Sequence, residues 1–317
     1  MTSMKIFSGT SNLNLAKRIA DNLHTKLGNI YHHRFPSGET YCQFKDNIRG
    51  NDVFLIQGIT NPANENLMEL LVMADAARRA SAERITAVVP YFGYARQDRK
   101  DKSRVPITAK LVLDLFEASG IDRVVTMDLH SPQVGGFTNL PFDHLTFEPV
   151  LGNYISTKFD KSNLVLMAPD VGAVKRIEKY ATTLGVDFGF ISKKRISDVK
   201  VELQNIIGDV NGKNVIIIDD LTESCGTLIQ AAEACKKNGA DKVICAVTHG
   251  CITKTGITRL DGSFNTGTVD EFLCSNTANI LHENQWGDRF VSLDVSNLFA
   301  KAINSIHNNE SVSELFI

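Results

Sequence analysis

The chain has 317 residues, more than one hydrophobic core usually organises, so two domains are expected. Its 34 Lys and Arg residues nearly balance 36 Asp and Glu residues, and the net charge of -2 argues against a general nucleic-acid-binding or membrane-surface protein. Six scattered cysteines with no C-x-x-C pair, no signal-peptide pattern and no apolar run of membrane length predict a cytoplasmic protein with reduced thiols.

Short apolar strands alternate with amphipathic helical segments along most of the chain. Predicted strands lie at 5–7, 53–57, 85–89, 123–127, 164–167, 188–191, 215–219 and 242–247. Predicted helices lie at 13–27, 65–80, 107–119, 171–184, 228–238 and 295–306. This alternation indicates βαβ units, and therefore an α/β fold with parallel sheets that helices cover on both faces.

The two halves of the chain carry matching segments, which suggests two similar α/β domains. A-K-R-I at 16–19 and V-K-R-I at 174–177 both open a predicted helix. G-I-D-R-V-V at 120–125 resembles G-A-D-K-V-I at 239–244, and a histidine follows each segment at the same spacing. Chance, or the shared pattern of βαβ units, would explain such short matches equally well. A duplication would place the domain boundary near 145–150.

The first polar turn, R-F-P-S-G-E at 34–39, offers an aromatic ring and a carboxylate on a Gly- and Pro-containing turn. A nucleotide base could stack on Phe35, because aromatic rings and bases stack favourably. A core phenylalanine beside a β-turn explains the same pattern equally well.

The segment 96–104 follows P-Y-F-G-Y at 90–94 and has almost no apolar side chain, which predicts an exposed, mobile loop. Its position after a strand matters, since open α/β sheets bind ligands at the carboxyl ends of their strands. Its cations could therefore close over a polyphosphate and exclude water. They are Arg96, Arg99, Lys100, Lys102 and Arg104. A solvated loop with paired charges is the alternative.

Three further strand ends carry polar residues. Asp128 and His130 follow the strand at 123–127, and Asp170 follows the strand at 164–167, so both positions are candidates for contacts with Mg²⁺ or phosphate. A structural histidine and a carboxylate that caps a helix are the alternatives. The cations of S-K-K-R at 192–195 follow the strand at 188–191, where an anion would stabilise them, although simple surface exposure explains them too.

The segment 219–227, D-D-L-T-E-S-C-G-T, is the clearest chemical signal in the chain. Four apolar residues at 215–218 lead into it, so a buried strand ends in two carboxylates, and a hydroxyl-rich turn then opens a helix. Backbone N–H groups at a helix N-terminus bind phosphate, and carboxylates accept hydrogen bonds from sugar hydroxyls. The pattern favours a sugar-phosphate site over the alternative, an acidic turn with a capped helix and no ligand.

Familiar nucleotide and hydrolase signatures, such as Walker A, G-x-G-x-x-G, H-E-x-x-H and the nucleophile elbow, are missing. Instead, several ordered segments together resemble the phosphate-activated class I ribose-phosphate diphosphokinases, also called phosphoribosyl diphosphate (PRPP) synthetases. Y-A-R-Q-D-R-K at 94–100 is highly specific to that family. The similar segments are 66–71, 90–104, 126–130, 169–170 and 219–227.

The resemblance implies two phosphoribosyltransferase-type domains, each a mainly parallel sheet flanked by helices. Domain 1–147 would carry the ATP-binding turn and the flexible loop, and domain 148–317 would carry the ribose 5-phosphate site. The implied enzyme is a transferase and kinase of nucleotide biosynthesis, and of histidine and tryptophan biosynthesis. It would move the diphosphoryl group of ATP to the 1-hydroxyl of ribose 5-phosphate, with Mg²⁺ as cofactor. Family members assemble from dimers into rings, commonly hexamers, so a homo-oligomer is implied, with no nucleic-acid or membrane partner.

The resemblance also implies roles for individual residues. The implied ATP-binding residues are Phe35, Ser37, Gly38, Glu39, Arg96 and Gln97, and Phe35, Ser37 and Glu39 would come from a neighbouring subunit. The flexible-loop cations are Arg99, Lys100, Lys102 and Arg104, the metal-linked residues are His130 and Asp170, and the catalytic residues are Lys193 and Arg195. The ribose 5-phosphate residues are Arg195, Asp219, Asp220, Glu223, Ser224, Cys225, Gly226 and Thr227. Asp128 and Asp220 are both candidates for a general base.

Two positions depart from the family pattern. Ser37 stands where Asp is usual, which removes one carboxylate from the adenine turn and leaves nucleotide selectivity less determined than the reaction. Glu223 and Ser224 stand where Asp and Thr are usual, which keeps the charge and the hydroxyl.

Two other functions are compatible with parts of the sequence. An ordinary phosphoribosyltransferase would explain 219–227 but neither the 96–104 loop nor the duplicated domain. A non-catalytic regulatory subunit would be expected to lose the loop cations or Lys193, and this chain keeps them.

Overall fold

The computed structural model describes residues 3–195, 201–280 and 283–316, with side chains for all of these except 193–195, 201–204 and 283–284. The chain forms two compact units. The first comprises Met1–Thr146, Thr277–Asn279 and Asp294–Ile317, and the second comprises Phe147–Asn276 and Ile280–Leu293.

Strands and helices alternate in both units. The strands are β1 (Met4–Ser8), β2 (Ile30–Arg34), β3 (Thr40–Phe44), β4 (Asp52–Ile56), β5 (Arg84–Val89), β6 (Arg123–Met127), β7 (Phe142–Leu145), β8 (Leu164–Ala168), β9 (Asp187–Arg195), β10 (Val201–Ile207), β11 (Asn214–Thr222), β12 (Lys242–Gly250), β13 (Glu271–Ser275) and β14 (Phe290–Leu293). The α-helices are α1 (Leu13–Asn22), α2 (Ala63–Arg79), α3 (Thr108–Ser119), α4 (Glu148–Lys158), α5 (Val174–Leu184), α6 (Gly226–Lys237), α7 (Lys254–Thr266) and α8 (Ser296–His307). Among these described helices, none has both the length and the apolar character needed to cross a bilayer.

Each unit is built on a mainly parallel sheet, which confirms the predicted α/β class. The first sheet has the order β1-β4-β5-β6-β7 and is parallel throughout, and β2 and β3 form a separate antiparallel hairpin. The second sheet has the order β10-β9-β8-β11-β12-β13-β14, in which only the β10–β9 pair is antiparallel. Central strands such as β4 and β8 are buried along their whole length, as expected where helices cover both faces of a parallel sheet.

The helices pack through apolar stripes. In α1 the buried residues Leu15, Ala16, Ile19 and Ala20 recur every three or four positions, so they share one face. Asn12 begins this helix, because its side-chain oxygen accepts a hydrogen bond from the Leu15 N–H at 3.1 Å.

The two units repeat one order of elements: strand, helix, hairpin, strand, helix, strand, helix and two further strands. The matching segments 16–19 and 174–177 lie in helices that occupy the same place in this order, α1 and α5, although 16–19 lie in the middle of α1 and 174–177 begin α5. The predicted match between 120–125 and 239–244 was wrong, because the two segments lead into strands that do not correspond in the repeat. In the repeat β5 corresponds to β12, whereas 120–125 leads into β6. A short glycine-to-strand pattern recurs at several βα junctions, so it cannot identify the register.

The C-terminal segment differs from the predicted division at 147/148. The break after Thr146 agrees with the prediction, but Asp294–Ile317 belongs to the first unit. Helix α8 packs against α1, and Arg18 Nη1 lies 3.1 Å from Asp294 Oδ2. His307 Nδ1 lies 2.8 Å from Asp52 Oδ2. Apolar periodicity predicts that α8 has a buried face, but it does not identify the unit against which that face packs.

Candidate functional site

Strand β11 carries the two carboxylates to a sheet edge. It lies between β8 and β12, with which it pairs in parallel, and it continues to Thr222 rather than ending at 219 as predicted. The Asp220 side chain is only 6% exposed and that of Asp219 is 20% exposed. Both acids therefore lie at the carboxyl end of a central strand, the position at which open α/β sheets bind ligands.

The turn after β11 has an unusual backbone. Cys225 has a φ of 57°, in the left-handed region, and its buried N–H donates to the Thr222 hydroxyl at 3.1 Å. Ser224 and Thr227 are exposed, and α6 begins at Gly226. Exposed hydroxyls thus border the first turn of a twelve-residue helix, whose free N–H groups favour an anion.

Gly226 lies close to Arg259 on α7. A Cβ atom at 226 would lie 2.8 Å from Arg259 Nη1, the end of a flexible side chain, which would have to shift. The same Arg259 nitrogen donates to the Ser224 carbonyl at 3.3 Å, and the Thr253 N–H donates to the Glu223 carbonyl at 2.9 Å. Helix α7 and the residue that precedes it therefore hold the turn from one side.

The two carboxylates influence each other's ionisation. Burial, and then contact with the Asp220 carboxyl, raise the pKa of Asp219 from 3.8 to about 8. The Arg176 guanidinium lowers it, because its Nη1 lies 3.6 Å from Asp219 Oδ1 and 3.4 Å from Asp220 Oδ1. The Asp220 N–H also donates to Asp219 Oδ1 at 2.9 Å.

Asp170 caps the short 3-10 turn that precedes α5. Its Oδ1 accepts hydrogen bonds from the N–H groups of Gly172 at 2.9 Å and Ala173 at 3.3 Å. The capping alternative for this residue is thus correct, and it leaves the second carboxylate oxygen for a further ligand.

Lys193 and Arg195 lie on β9, and their side chains are outside the described part of the structure. The sequence predicted that the cations at 193–195 follow a strand that ends at 191. This was wrong, because β9 extends to Arg195 and includes all three.

In the first unit, the predicted adenine turn joins β2 to β3. Its backbone is closed by hydrogen bonds from Phe35 N to Glu39 O (2.9 Å) and from Gly38 N to Phe35 O (2.8 Å), and Gly38 has a φ of 91°. Phe35 is 44% exposed, so the core-phenylalanine alternative was wrong. The Ser37 hydroxyl donates to Glu39 Oε2 at 2.7 Å, which leaves Glu39 as the carboxylate of this turn.

The cationic loop is exposed and contains neither helix nor strand. Gln97 anchors it, because its carbonyl accepts from the Ala109 N–H at 3.2 Å and its side chain bonds the Thr108 hydroxyl. Within the described part of the chain, no ion pair is found for four of its cations, Arg99, Lys100, Lys102 and Arg104.

The segment after β6 has a left-handed residue, Asp128, with a φ of 35°. Its N–H donates to the Leu145 carbonyl at 3.0 Å, and the next N–H, that of Leu129, donates to His144 Nε2 at 2.8 Å. His130 is exposed, so it is not a buried structural histidine. Among the described residues, no group of three or more His, Cys, Asp and Glu side chains is arranged to hold a metal ion.

Sequence reasoning missed two residues next to the 219–227 turn. Arg176 stood in a segment noticed only as a repeat, although a cation shortly after a strand-end Asp was an available signal. Arg259 had no such signal, because α7 was not predicted. Both come from elements distant from the turn in sequence.

Comparisons with known proteins agree with this arrangement. Residues 4–120 match the family model described as the N-terminal domain of ribose phosphate pyrophosphokinase, and residues 190–317 match the phosphoribosyl synthetase-associated domain. The ribose-phosphate pyrophosphokinase of Chlorobaculum tepidum is 45% identical over 99% of this chain and 95% of its own length. That of Campylobacter jejuni is 42% identical over the full length of both chains.

A solved structure supports the same relationship. The crystal structure of phosphoribosylpyrophosphate synthetase from Mycobacterium smegmatis has a TM-score of 0.90 and 35% identity, covering 97% of this chain and 100% of the other. With similarity in sequence and fold over nearly the whole length, the chain belongs to the ribose-phosphate pyrophosphokinase family.

Proposed function

We propose that the chain transfers the β,γ-diphosphoryl group of ATP to the 1-hydroxyl of ribose 5-phosphate, releasing AMP and phosphoribosyl diphosphate. The observation that carries this proposal is the end of β11, where a partly buried and a buried carboxylate precede a hydroxyl-lined turn that opens α6. Family membership over the whole chain supports the same reaction.

The sugar phosphate occupies the second unit. Asp219 and Asp220 accept hydrogen bonds from the vicinal hydroxyls of the ribose, and the turn at 223–227 takes its 5-phosphate. The hydrogen bonds that Cys225, Arg259 and Thr253 donate within and to that turn hold it in shape before the ligand arrives. A preformed pocket reduces the entropy lost when the nucleophile is placed for in-line attack.

The nucleotide is held by residues of the first unit. The adenine stacks on the exposed ring of Phe35, and Glu39 accepts from its amino group, with Ser37 supporting that carboxylate. Arg96 and Gln97 contact the phosphates of ATP. Because Ser37 replaces the usual Asp, we propose that selectivity for adenine rests chiefly on Glu39.

Positive charge from the chain stabilises the departing and transferred phosphates. Lys193 and Arg195 act on the charge that develops at the diphosphate, and the four exposed loop cations at 99–104 close over it and exclude water. Asp128 and Asp220 both remain candidates for the proton acceptor.

The residues present fit magnesium as the cofactor. Asp170 has a carboxylate oxygen to offer beside the one that caps its turn, and oxygen is the ligand that Mg²⁺ prefers. Imidazole is a less common ligand for this ion, so His130 fits a role toward phosphate or a bound water. When bound, the ion neutralises phosphate charge and orients the transferred group.

We further propose that the protein works in the cytoplasm as a homo-oligomer of dimers, assembled into a hexamer, without a nucleic-acid or membrane partner. The oligomer would supply the adenine turn of one copy to its neighbour. Light scattering with size-exclusion chromatography of the full chain tests this assembly directly.

The reaction is tested by mixing the pure protein with ATP, Mg²⁺ and ribose 5-phosphate and measuring AMP and phosphoribosyl diphosphate. Both products should form only when all three components are present, and chelation of the metal should stop their formation. Replacing ribose 5-phosphate with ribose provides a matched control for the phosphate turn, and turnover should fall steeply.

Other outcomes identify the rivals. No turnover with any sugar would favour a non-catalytic binding subunit. Consumption of supplied phosphoribosyl diphosphate with a free nucleobase, and without ATP, would identify an ordinary phosphoribosyltransferase.

A further inference from the structure

Arg176, on α5, contacts both carboxylates of the sugar site. Its Nη1 lies 3.6 Å from Asp219 Oδ1 and 3.4 Å from Asp220 Oδ1, and its side chain is 29% exposed. Consecutive residues of a strand normally point to opposite faces of a sheet. Arg176 Nη1 nevertheless lies near one carboxylate oxygen of each acid at the end of β11.

The contact differs from a structural arginine pair in the same chain. Arg84 binds Asp52 through two nitrogens, at 2.8 and 2.5 Å, and so engages both carboxylate oxygens. Arg176 instead approaches one oxygen of each acid at a distance longer than an optimal hydrogen bond. Its contribution is thus mainly charge.

A nearby positive charge favours ionisation of this pair of acids. Two adjacent, largely buried carboxylates repel each other, and burial raises the pKa of Asp219 to about 8. Arg176 opposes that shift. On the neighbouring strand β12, Val247 pairs with Asp219 and the titratable His249 pairs with Leu221, and Arg259 on α7 lies against Ser224.

Resting on the function proposed above, we propose that Arg176 is a positioning residue whose charge lowers the pH at which Asp219 and Asp220 are ionised together, so that both accept hydrogen bonds from the vicinal hydroxyls of ribose 5-phosphate. Arg176 itself does not touch the sugar. Two vicinal hydroxyls donate two hydrogen bonds, and a carboxyl that keeps its proton is a poorer acceptor for one of them.

The experiment measures kcat/KM for ribose 5-phosphate from about pH 7 to about pH 9.5 in wild type, Arg176→Gln and Arg176→Lys, since this profile reports ionisations of the free enzyme. Without the guanidinium, the ionised pair forms only at higher pH. Arg176→Gln should therefore lose about tenfold or more near pH 7.5 and recover most of that loss near pH 9.5, because one pKa unit corresponds to a factor of about ten. Arg176→Lys should keep most of the wild-type profile, and the KM for ATP should change little in either variant.

Lys179→Gln is the matched control. It removes a cation from the same helix, one that pairs with Glu148 at 2.6 Å rather than with the sugar site. Its profile should coincide with that of the wild type.

A loss in Arg176→Gln that is equal at every pH, or one that Lys does not rescue, would overturn the proposal and indicate a structural role. If the Gln variant does not fold, the test uses Arg176→Lys. A kcat/KM profile of this variant that is displaced by a full pH unit from that of the wild type would contradict the inference. A wild type that forms no AMP with ribose 5-phosphate would instead refute the proposed function, before any variant is compared.

Discussion

At the scale of one residue, Asp219 lowers the stability of the folded protein when it is ionised. Burial raises its pKa from 3.8 to about 8, so the folded chain holds this proton more tightly than the unfolded chain does. As the pH rises through that interval, the folded state must increasingly carry a buried charge, and stability falls. The loss is complete only above about pH 8. The ionised form of Asp219, which the proposed contact with the sugar requires, is therefore the form that destabilises the free protein.

Asp219→Asn should consequently raise the urea midpoint of the ligand-free protein at pH 8, by the equivalent of at least about 1 kcal/mol. The gain should shrink as the pH falls toward 5, where the wild-type side chain is also neutral. Asp209→Asn, which removes an exposed carboxylate from the same unit, should change the midpoint little at either pH. A gain from Asp219→Asn that does not depend on pH would show that repacking, and not ionisation, is responsible.

Lys193 is the residue with the largest expected kinetic effect. In the proposed reaction, replacing it with Ala removes a cation that stabilises the charge developing on the transferred diphosphate, so kcat should fall by about 10²–10³-fold. Steady-state assays with saturating ATP and ribose 5-phosphate measure this loss. Lys237→Ala, at the far end of α6, is the comparison and should turn over normally. Near-normal turnover of the Lys193 variant would remove this residue from the catalytic role.

At the scale of elements, the internal repeat shows why the two units differ chemically. Gln57 lies five residues after Asp52, as Asp219 lies five residues after Asn214, and these two starting positions are equivalent in the paired strands. In the first unit Gln57 is buried and donates to Glu69 at 2.9 Å. In the first unit, the position equivalent to Asp219, the proposed sugar-binding acid, is thus occupied by a residue of an internal hydrogen-bond network.

Glu69 holds that network together, since it also accepts from the N–H of Thr10 at 2.6 Å and from its hydroxyl at 3.0 Å. Glu69→Ala leaves these donors and Gln57 Nε2 without their acceptor, so it should destabilise the protein by about 2–4 kcal/mol in chemical unfolding. Glu65→Ala, on the same helix but exposed, should cost less than about 1 kcal/mol. Equal losses in the two variants would contradict this account.

The elements predicted from sequence were those with a clear apolar signal. Strands such as β6 and β8 are short apolar runs, and their bounds were close to the observed ones. The hairpin of β2 and β3 was missed because its strands are half exposed and rich in polar residues. Helix α7 was missed because two glycines and several threonines between Lys254 and Thr266 resemble a loop.

Some residues of the candidate site were likewise predictable from sequence, and others were not. Asp219, Asp220 and the turn after them were predicted from residue types alone, because strand end and helix start are contiguous in sequence. The roles of Lys193 and Phe35 came from the family resemblance. Arg176 could not be assigned, since its approach to the acids depends on how α5 packs on the sheet.

At the scale of the whole molecule, the first unit depends on the last helix of the chain. Phe299, on α8, is fully buried, and α8 packs against α1. Phe299→Ala should therefore reduce stability by about 3–5 kcal/mol. Hydrogen exchange should show lost protection in β4 and β5 and not in β8 and β11.

Phe290→Ala is the matched control, nine positions earlier in the chain but in the second unit, where its ring stacks on Phe272 at 5.6 Å. It should deprotect β11 and β12 and leave β4 protected. Loss of protection in the second unit alone on Phe299→Ala would show that α8 does not stabilise the unit to which it belongs.

The return of α8 to α1 also has a consequence for biosynthesis. During translation the N-terminal strands and α1 emerge first, yet the helix that covers α1 is made only after the intervening unit of about 150 residues. About 270 residues separate the end of α1 at Asn22 from the start of α8 at Ser296, so at about 5–20 residues per second roughly 14 to 55 seconds pass before α8 can pack against α1. The intervening unit can complete its own sheet in that interval, so the segment synthesised first is the last to reach its native state.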